Sequence, residues 1–122
     1  MAERWANMAV VAAVVDDHVI KLAVDALLEA APGSTVVLFG SRARGDSRPD
    51  SDLDFLVIET MAHRKMEEMY RLRKAVGKVL DHFLVPVDVV VMDRAHYERW
   101  KNIPNTLAYA VAREGRFHER AA

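Results

Sequence analysis

The sequence predicts an α/β (α+β) fold in which helices pack on a small mixed sheet. Two observations carry this prediction. Three short apolar runs rich in β-branched residues have the composition of buried strands, and segments with three- and four-residue apolar periodicity flank and separate them. The predicted order along the chain is α-β-β-α-β-α-α. At 122 residues, the chain is expected to form a single domain over 1–122 that is long enough to bury one core.

The first half of the chain is predicted to contain one helix and two strands. Apolar residues recur at helical spacing over 15–30, and the Pro-Gly pair that follows ends this amphipathic helix. The run TVVLFG (35–40) predicts a buried strand, and DLDFLVIE (52–59) predicts a second one. The connection between them, residues 41–51, is longer than a tight hairpin turn, as expected of a binding loop.

The second half adds a helix, a strand and two further helices. Within 66–83, the apolar residues predicted to share one helical face are Met69, Leu72, Val76, Val79, Leu80 and Phe83. The run VPVDVVVMD (85–93) predicts a third strand, after which Asp93 can cap a short helix that reaches about Trp100. The last helix is expected to start near Pro104 or Asn105 and to end at Gly115. Its inward-facing residues are predicted to be Leu107, Ala110 and Val111.

Composition and charge exclude several classes of function. The net charge of −1 provides neither a general basic field for direct nucleic-acid binding nor a polybasic membrane signal. The chain has no cysteine, which excludes disulfides, thiolate metal sites and cysteine nucleophiles and fits a reducing cytoplasm. An apolar patch over 8–15 is too short to span a membrane and is interpreted as the lead-in to the first helix. We therefore expect a cytoplasmic protein that contacts no membrane.

Three carboxylates are predicted to meet at one end of the sheet. Because side chains alternate along a strand, Asp52 and Asp54 should share a face. A helix links the second and third strands, which favours a parallel right-handed crossover that places Asp88 beside them. If the first strand pairs antiparallel with the second, Gly40 and Ser41 reach the same end.

This arrangement indicates a site for divalent cations and phosphate. Carboxylates in one place destabilise each other unless they are protonated or neutralised, and an all-oxygen ligand set suits Mg²⁺ or Mn²⁺. Two such ions, about 4 Å apart, can clamp the attacking and leaving oxygens of a phosphoryl displacement. The Gly40-Ser41 turn offers backbone N–H groups and a hydroxyl to phosphate oxygens. Arg42 and Arg44 follow within reach, and guanidinium groups match phosphate oxygens in geometry.

The combined pattern resembles a known superfamily. A Gly-Ser pair, about ten further residues, Asp-x-Asp on an apolar strand and a later Asp on another strand resemble the signature of the DNA polymerase β-like nucleotidyltransferases. Within that superfamily, GSRARGDSRPDSDLD and the short length are similar to the minimal nucleotidyltransferase (MNT, MntA-like) domains. The resemblance is close over 36–58, is supported at VDVVV (87–91) and is weaker at NTLAYAVAREGRF (105–117).

The resemblance implies a polymerase β-like fold and the transfer of a nucleoside monophosphate from a nucleoside triphosphate to a hydroxyl, with release of pyrophosphate. By position, Asp52 and Asp54 would hold two Mg²⁺ or Mn²⁺ ions, and Asp88 would hold the catalytic ion and help to activate the attacking hydroxyl. The residues implied to bind the β- and γ-phosphates of the substrate, expected to be ATP, are Gly40 and Ser41 with Arg42 or Arg44 assisting.

The resemblance also implies a partner. Many MNT domains are antitoxins that inactivate a HEPN-domain RNase toxin, either by adding AMP to a tyrosine or by binding it. About thirty residues follow Asp88, so we expect no acceptor-selecting domain and an acceptor presented by a partner. Two hypotheses stay open: a protein adenylyltransferase, and an antitoxin that occludes its toxin without catalysis. Modification of a small molecule such as an antibiotic is a third alternative, and a homo- or hetero-oligomer is compatible with each.

Overall fold

Four strands form one mixed sheet in the computed structural model of the protein, which describes residues 15–83 and 85–120. The strands are β1 (Thr35–Phe39), β2 (Leu53–Glu59), β3 (Val87–Asp93) and β4 (Arg116–Glu119), in the spatial order β3-β2-β1-β4. β1 is antiparallel to both β2 and β4, whereas β2 and β3 are parallel. The predicted α/β class and the two predicted strand pairings are therefore confirmed.

The described helices are α1 (Asp17–Ala30), α2 (Ser41–Arg44), α3 (Lys65–Val79), α4 (Arg94–Trp100) and α5 (Leu107–Glu114), with a 3₁₀ turn at Asp81–Phe83. Side-chain caps define two of the starts. The carboxylate of Asp16 accepts the Val19 N–H at 3.1 Å, and the hydroxyl of Thr106 accepts the Tyr109 N–H at 3.1 Å. None of the helices in the described ranges is long and apolar enough to cross a bilayer.

Apolar residues cover both faces of the sheet. On one face, Leu53, Phe55 and Val57 of β2 pack in a core shared with α1 and α3. On the other, Leu56 and Ile58 pack with buried residues of α4 and α5. Strand alternation assigns Asp54 to this second face, at the start of β2. The core on both faces therefore determines the register of β2 and, with it, the direction of the Asp54 side chain.

The structure adds two elements to the predicted order. The 41–51 connection begins with the short helix α2, and the final helix is followed by β4, which pairs with β1 from Leu38↔Arg116 to Thr35↔Glu119. The β4 sequence RFHE has only one apolar residue, Phe117, which is 45% exposed. The backbone pairing of an edge strand needs no apolar alternation, so this sequence carries no strand signal.

Several predicted boundaries and faces require correction. α1 begins at Asp17 rather than at Val15, because Asp16 is its cap. α5 begins at Leu107, which is its first helical residue and remains 36% exposed, while Ala108 joins Val111 in the core. Val79 of α3 is 41% exposed, unlike the rest of its predicted face.

The remaining differences are local. The second strand begins at Leu53 and the third at Val87, each later than predicted. Asp93 occupies the cap position of α4, but its carboxylate accepts the Ala62 N–H instead of capping the helix. The predicted lead-in segment 8–15 lies, apart from Val15, outside the described residues.

Candidate functional site

The end of β1 and the starts of β2 and β3 bring the predicted site residues together. Asp54 is the register partner of Phe39 on β1 and of Asp88 on β3. Because register partners point to the same face, the carboxylates of Asp54 and Asp88 project from one side of the sheet. Asp52 precedes β2 by one residue and is exposed.

The pKa of Asp54 depends on the two other acids nearby. Burial raises the pKa of the half-buried Asp54 carboxyl above its usual value, and the charges of Asp52 and Asp88 raise it further. The charge of Arg44 acts in the opposite direction on the same pKa. The Asp54 carboxylate therefore lies close enough to Asp52 and to Asp88 to be repelled by their charges, as carboxylates are when they share a site.

Gly40 makes the closest approach to this cluster. Its φ of +76° lies in the left-handed region, which disfavours residues with a side chain. A Cβ at this position would lie 2.5 Å from Oδ2 of Asp54, well inside van der Waals contact. The turn after β1 therefore favours glycine for its backbone conformation, and a side chain at this position would also displace the Asp54 carboxylate.

Ser41 follows as the first residue of α2 and is half-buried. The carbonyl of Gly40 accepts the N–H groups of Ala43 and Arg44, both at 3.1 Å, which fixes the turn. The first N–H groups of a helix have no partner within the helix, and an anion can accept them. The Ser41 hydroxyl and the first N–H groups of α2 therefore offer hydrogen-bond donors at the end of the sheet that carries the carboxylates.

Arg42 holds the loop that leads to the acidic strand. Its Nη2 donates to the carbonyls of Ser51 at 2.9 Å and Pro49 at 3.2 Å. These hydrogen bonds close the loop immediately before Asp52. In this structure, the Arg42 guanidinium thus positions the backbone beside the site, while its predicted contact with phosphate stays a prediction.

Arg44 links the turn to the last helix. Its guanidinium pairs with Asp46 and with Glu114 of α5, each at 3.2 Å. The Arg44 side chain is 43% exposed, and its positive charge lowers the pKa of Asp54. Sequence reasoning missed Glu114, although it lies in the REG segment that the family resemblance includes.

Asp88 is paired with a residue that the sequence analysis did not identify. Nη2 of Arg73, on α3, donates to Oδ1 of Asp88 at 2.8 Å. Arg73 lies in a charged helical segment where local sequence does not distinguish one arginine from another. Its role depends on how α3 packs against β3, which the spacing of charges does not encode.

The donor set suits a hard divalent cation. In the described ranges, no three acidic or histidine side chains are already arranged around one ion position. The three aspartates nevertheless provide only oxygen ligands, and repulsion from two of them raises the pKa of the third, Asp54. A divalent ion would relieve this repulsion, so the residues fit Mg²⁺ or Mn²⁺.

The fold and the site together bring a glycine turn to the end of a mixed sheet that carries acidic residues. Residues 20–112 match the model of the family described as the nucleotidyltransferase domain. The chain belongs to this nucleotidyltransferase family, which is consistent with the predicted polymerase β-like superfamily. Domains of this family generally use a nucleoside triphosphate and a divalent metal ion.

A solved structure has a similar fold. The crystal structure of a candidate nucleotidyltransferase from Sulfolobus solfataricus shares 26% sequence identity with this chain, with a TM-score of 0.50. The similarity covers 75% of this chain and 79% of the Sulfolobus chain. No curated protein matches the sequence. The general activity, nucleotidyl transfer, thus follows from the family and agrees with the structural neighbour.

Proposed function

We propose that the protein transfers AMP from ATP to a hydroxyl group in a reaction that requires Mg²⁺ or Mn²⁺. The observation that carries this proposal is the pairing of Asp54 with Asp88 across β2 and β3, with Gly40 against the Asp54 carboxylate. Acids on neighbouring strands and a glycine turn at the same end form a cation site beside a phosphate site. Nucleotidyl transfer from a triphosphate needs both sites.

Each group in the site has a distinct role in this proposal. Asp52, Asp54 and Asp88 would hold the divalent ions, which when bound neutralise charge on the carboxylates and on the phosphates. Donors of the Gly40-Ser41 turn bind the β- and γ-phosphates. The acceptor oxygen forms a bond to the α-phosphorus, the bond to the β-phosphate oxygen breaks, and pyrophosphate leaves. In this proposal, the Asp88 carboxylate helps to activate the attacking hydroxyl by taking its proton.

We propose a tyrosine of a HEPN-domain toxin as the acceptor, which makes this protein the antitoxin of a toxin–antitoxin pair. The support is the similarity of GSRARGDSRPDSDLD, residues 40–54, to minimal nucleotidyltransferase domains. The site also supports an acceptor supplied by another protein, because Asp52 and Asp88 are both exposed at the surface.

The experiment incubates the protein with α-labelled ATP, Mg²⁺ and the product of any HEPN-like gene found beside its own. We expect label on a partner tyrosine, lost when that tyrosine is replaced by phenylalanine and reduced at least about a hundredfold by Asp54→Asn, because ligand-set changes disable metal sites. Asp50→Asn is the matched control, since Asp50 is an exposed acid of the loop that precedes β2. Unlabelled partner that is nevertheless bound and inhibited would contradict the catalytic proposal and identify an occluding antitoxin.

A further inference from the structure

One arginine from outside the nucleotidyltransferase motif contacts the candidate metal site. Arg73 donates to Oδ1 of Asp88 at 2.8 Å, and the two side chains are 48% and 52% exposed. Asp88 is a proposed ligand of the divalent ion. The guanidinium group and the ion would therefore use the same carboxylate.

The fold makes this contact specific to Arg73. Its neighbour Leu72 and, one turn later, Val76 are fully buried, which fixes the rotation of α3 against the sheet. The nearby cations of the same helix are engaged elsewhere: Arg71 pairs with Glu68 at 2.6 Å, and Nζ of Lys74 lies 5.9 Å from the centroid of the Tyr70 ring. Arg73 is held at the edge of α3 that faces the start of β3.

We propose that Arg73 is a positioning residue that occupies the place of the divalent cation at Asp88. It neutralises and orients the Asp88 carboxylate before the ion binds and gives up Oδ1 when the ion arrives. This inference rests on the proposed function, because it needs Asp88 to be a metal ligand. The inference goes beyond the proposed function because it makes Arg73 a competitor of the ion for Asp88. This competition lowers the affinity of the site for metal.

The direction of the effect follows from electrostatics. A guanidinium bonded to Oδ1 removes one ligand oxygen and adds a positive charge that repels a divalent ion. Ion pairs with this degree of exposure are weak, so the competition should change metal affinity about 1.5- to 5-fold. Because the contact is partly exposed to solvent, the effect should shrink as the salt concentration rises.

The test measures Mn²⁺ affinity by electron paramagnetic resonance in the full-length protein without nucleotide. Arg73→Gln is compared with Lys74→Gln, which removes the same charge from the same helix without touching Asp88. We expect Arg73→Gln to bind Mn²⁺ about 1.5- to 5-fold more tightly than Lys74→Gln. In a background carrying Asp88→Asn, the two substitutions should no longer differ, since the shared oxygen has lost its charge.

The outcomes separate the inference from the function on which it rests. Weaker Mn²⁺ binding in Asp88→Asn, together with equal affinities of Arg73→Gln and Lys74→Gln, would overturn the role of Arg73 and leave the metal site intact. Weaker binding in Arg73→Gln would also overturn it. If Asp88→Asn binds Mn²⁺ as tightly as the wild type, or the wild type binds none, both the inference and the proposed metal site fail.

Discussion

Gly40 lies where the two parts of the candidate site meet, the Gly40-Ser41 turn and the carboxylates of the aspartates. The turn leaves no room for a Cβ at Gly40, which would lie 2.5 Å from Oδ2 of Asp54, and its positive φ lets the chain leave β1 in the direction of α2. A side chain here would displace the Asp54 carboxylate.

Replacing Gly40 by alanine should damage binding in a way that replacing Gly33 does not. Both residues have φ near +80°, so each substitution should destabilise the fold by about 1 kcal/mol. A Cβ at Gly33 meets nothing within 4 Å, whereas one at Gly40 meets the Asp54 carboxylate. We expect similar losses in melting temperature but weaker binding of Mg²⁺-ATP only in Gly40→Ala, measured by calorimetry. Equal affinities in the two variants would show that the contact has no functional role.

Residues within a continuous motif could be identified from the sequence, but their tertiary partners could not. Strand alternation and crossover handedness are general rules, and from the sequence alone they predict that Asp54 and Asp88 lie close together. The contacts from Arg73 and Glu114 depend on the rotation of a helix against the sheet. The packing of many apolar residues sets that rotation, and the rotation cannot be predicted from the spacing of charged residues.

At the scale of elements, β2 carries acidic residues at both of its ends. Glu59, the last residue of the strand, lies against Glu68 of α3 and near Asp93 of β3. Burial, followed by the hydrogen bond and the charge of Glu68, raises the pKa of Glu59 to about 7. Arg71 lowers the pKa of Glu68 through a hydrogen bond and keeps that partner ionised. Glu59 is thus the member of the pair that is protonated near neutrality.

This raised pKa predicts a loss of stability as the pH rises. Folding raises the pKa of Glu59 from its ordinary value of 4.5 to about 7, so the folded chain binds this proton more tightly than the unfolded chain. The protonated Glu59 therefore adds fully to the free energy of unfolding below pH 4.5, and this stabilisation is lost as the pH rises through about 7. The lowered pKa of Glu68 acts in the opposite sense, but only on the acid side of 4.5. We expect Glu59→Gln to be more stable than the wild type at about pH 8, by about 1 kcal/mol after solvent screening is allowed for.

Urea unfolding at several pH values checks this expectation. Glu67→Gln is the control, because Glu67 lies on the same helix as Glu68 and its side chain is 73% exposed. The wild type and the control should lose stability between about pH 4.5, the ordinary pKa of Glu59, and about pH 7, while Glu59→Gln should show a flatter profile. Parallel profiles for all three proteins would contradict the assignment of the raised pKa to Glu59.

Elements with strong apolar periodicity were predictable, whereas short polar ones were not. α1 and the three apolar strands follow from the sequence because their buried faces dictate their residues. β4 pairs its backbone with β1 while most of its side chains are exposed, and α2 is a single turn inside a loop. Backbone hydrogen bonds of this kind can be formed by almost any residue type, so they are hard to predict from the sequence.

At the scale of the whole molecule, stability and function are assigned to different parts of the sheet. Helices α1 and α3 bury one face, while α4 and α5 contribute to the core on the other. The site lies at the end where β1 finishes and β2 and β3 start, where Asp54 is half-buried and Asp52 and Asp88 are exposed. Repulsion among these acids opposes folding in the absence of metal, and bound cations would remove that cost.

The most direct test of this account is the binding of a non-hydrolysable ATP analogue, measured by calorimetry with and without Mg²⁺. The account predicts binding that requires Mg²⁺, weakens at least about tenfold in Asp54→Asn, and is unchanged in the loop control Asp50→Asn. Binding that is indifferent to both Mg²⁺ and the Asp54 carboxylate would contradict the central claim that these carboxylates and the Gly40-Ser41 turn form one nucleotide site.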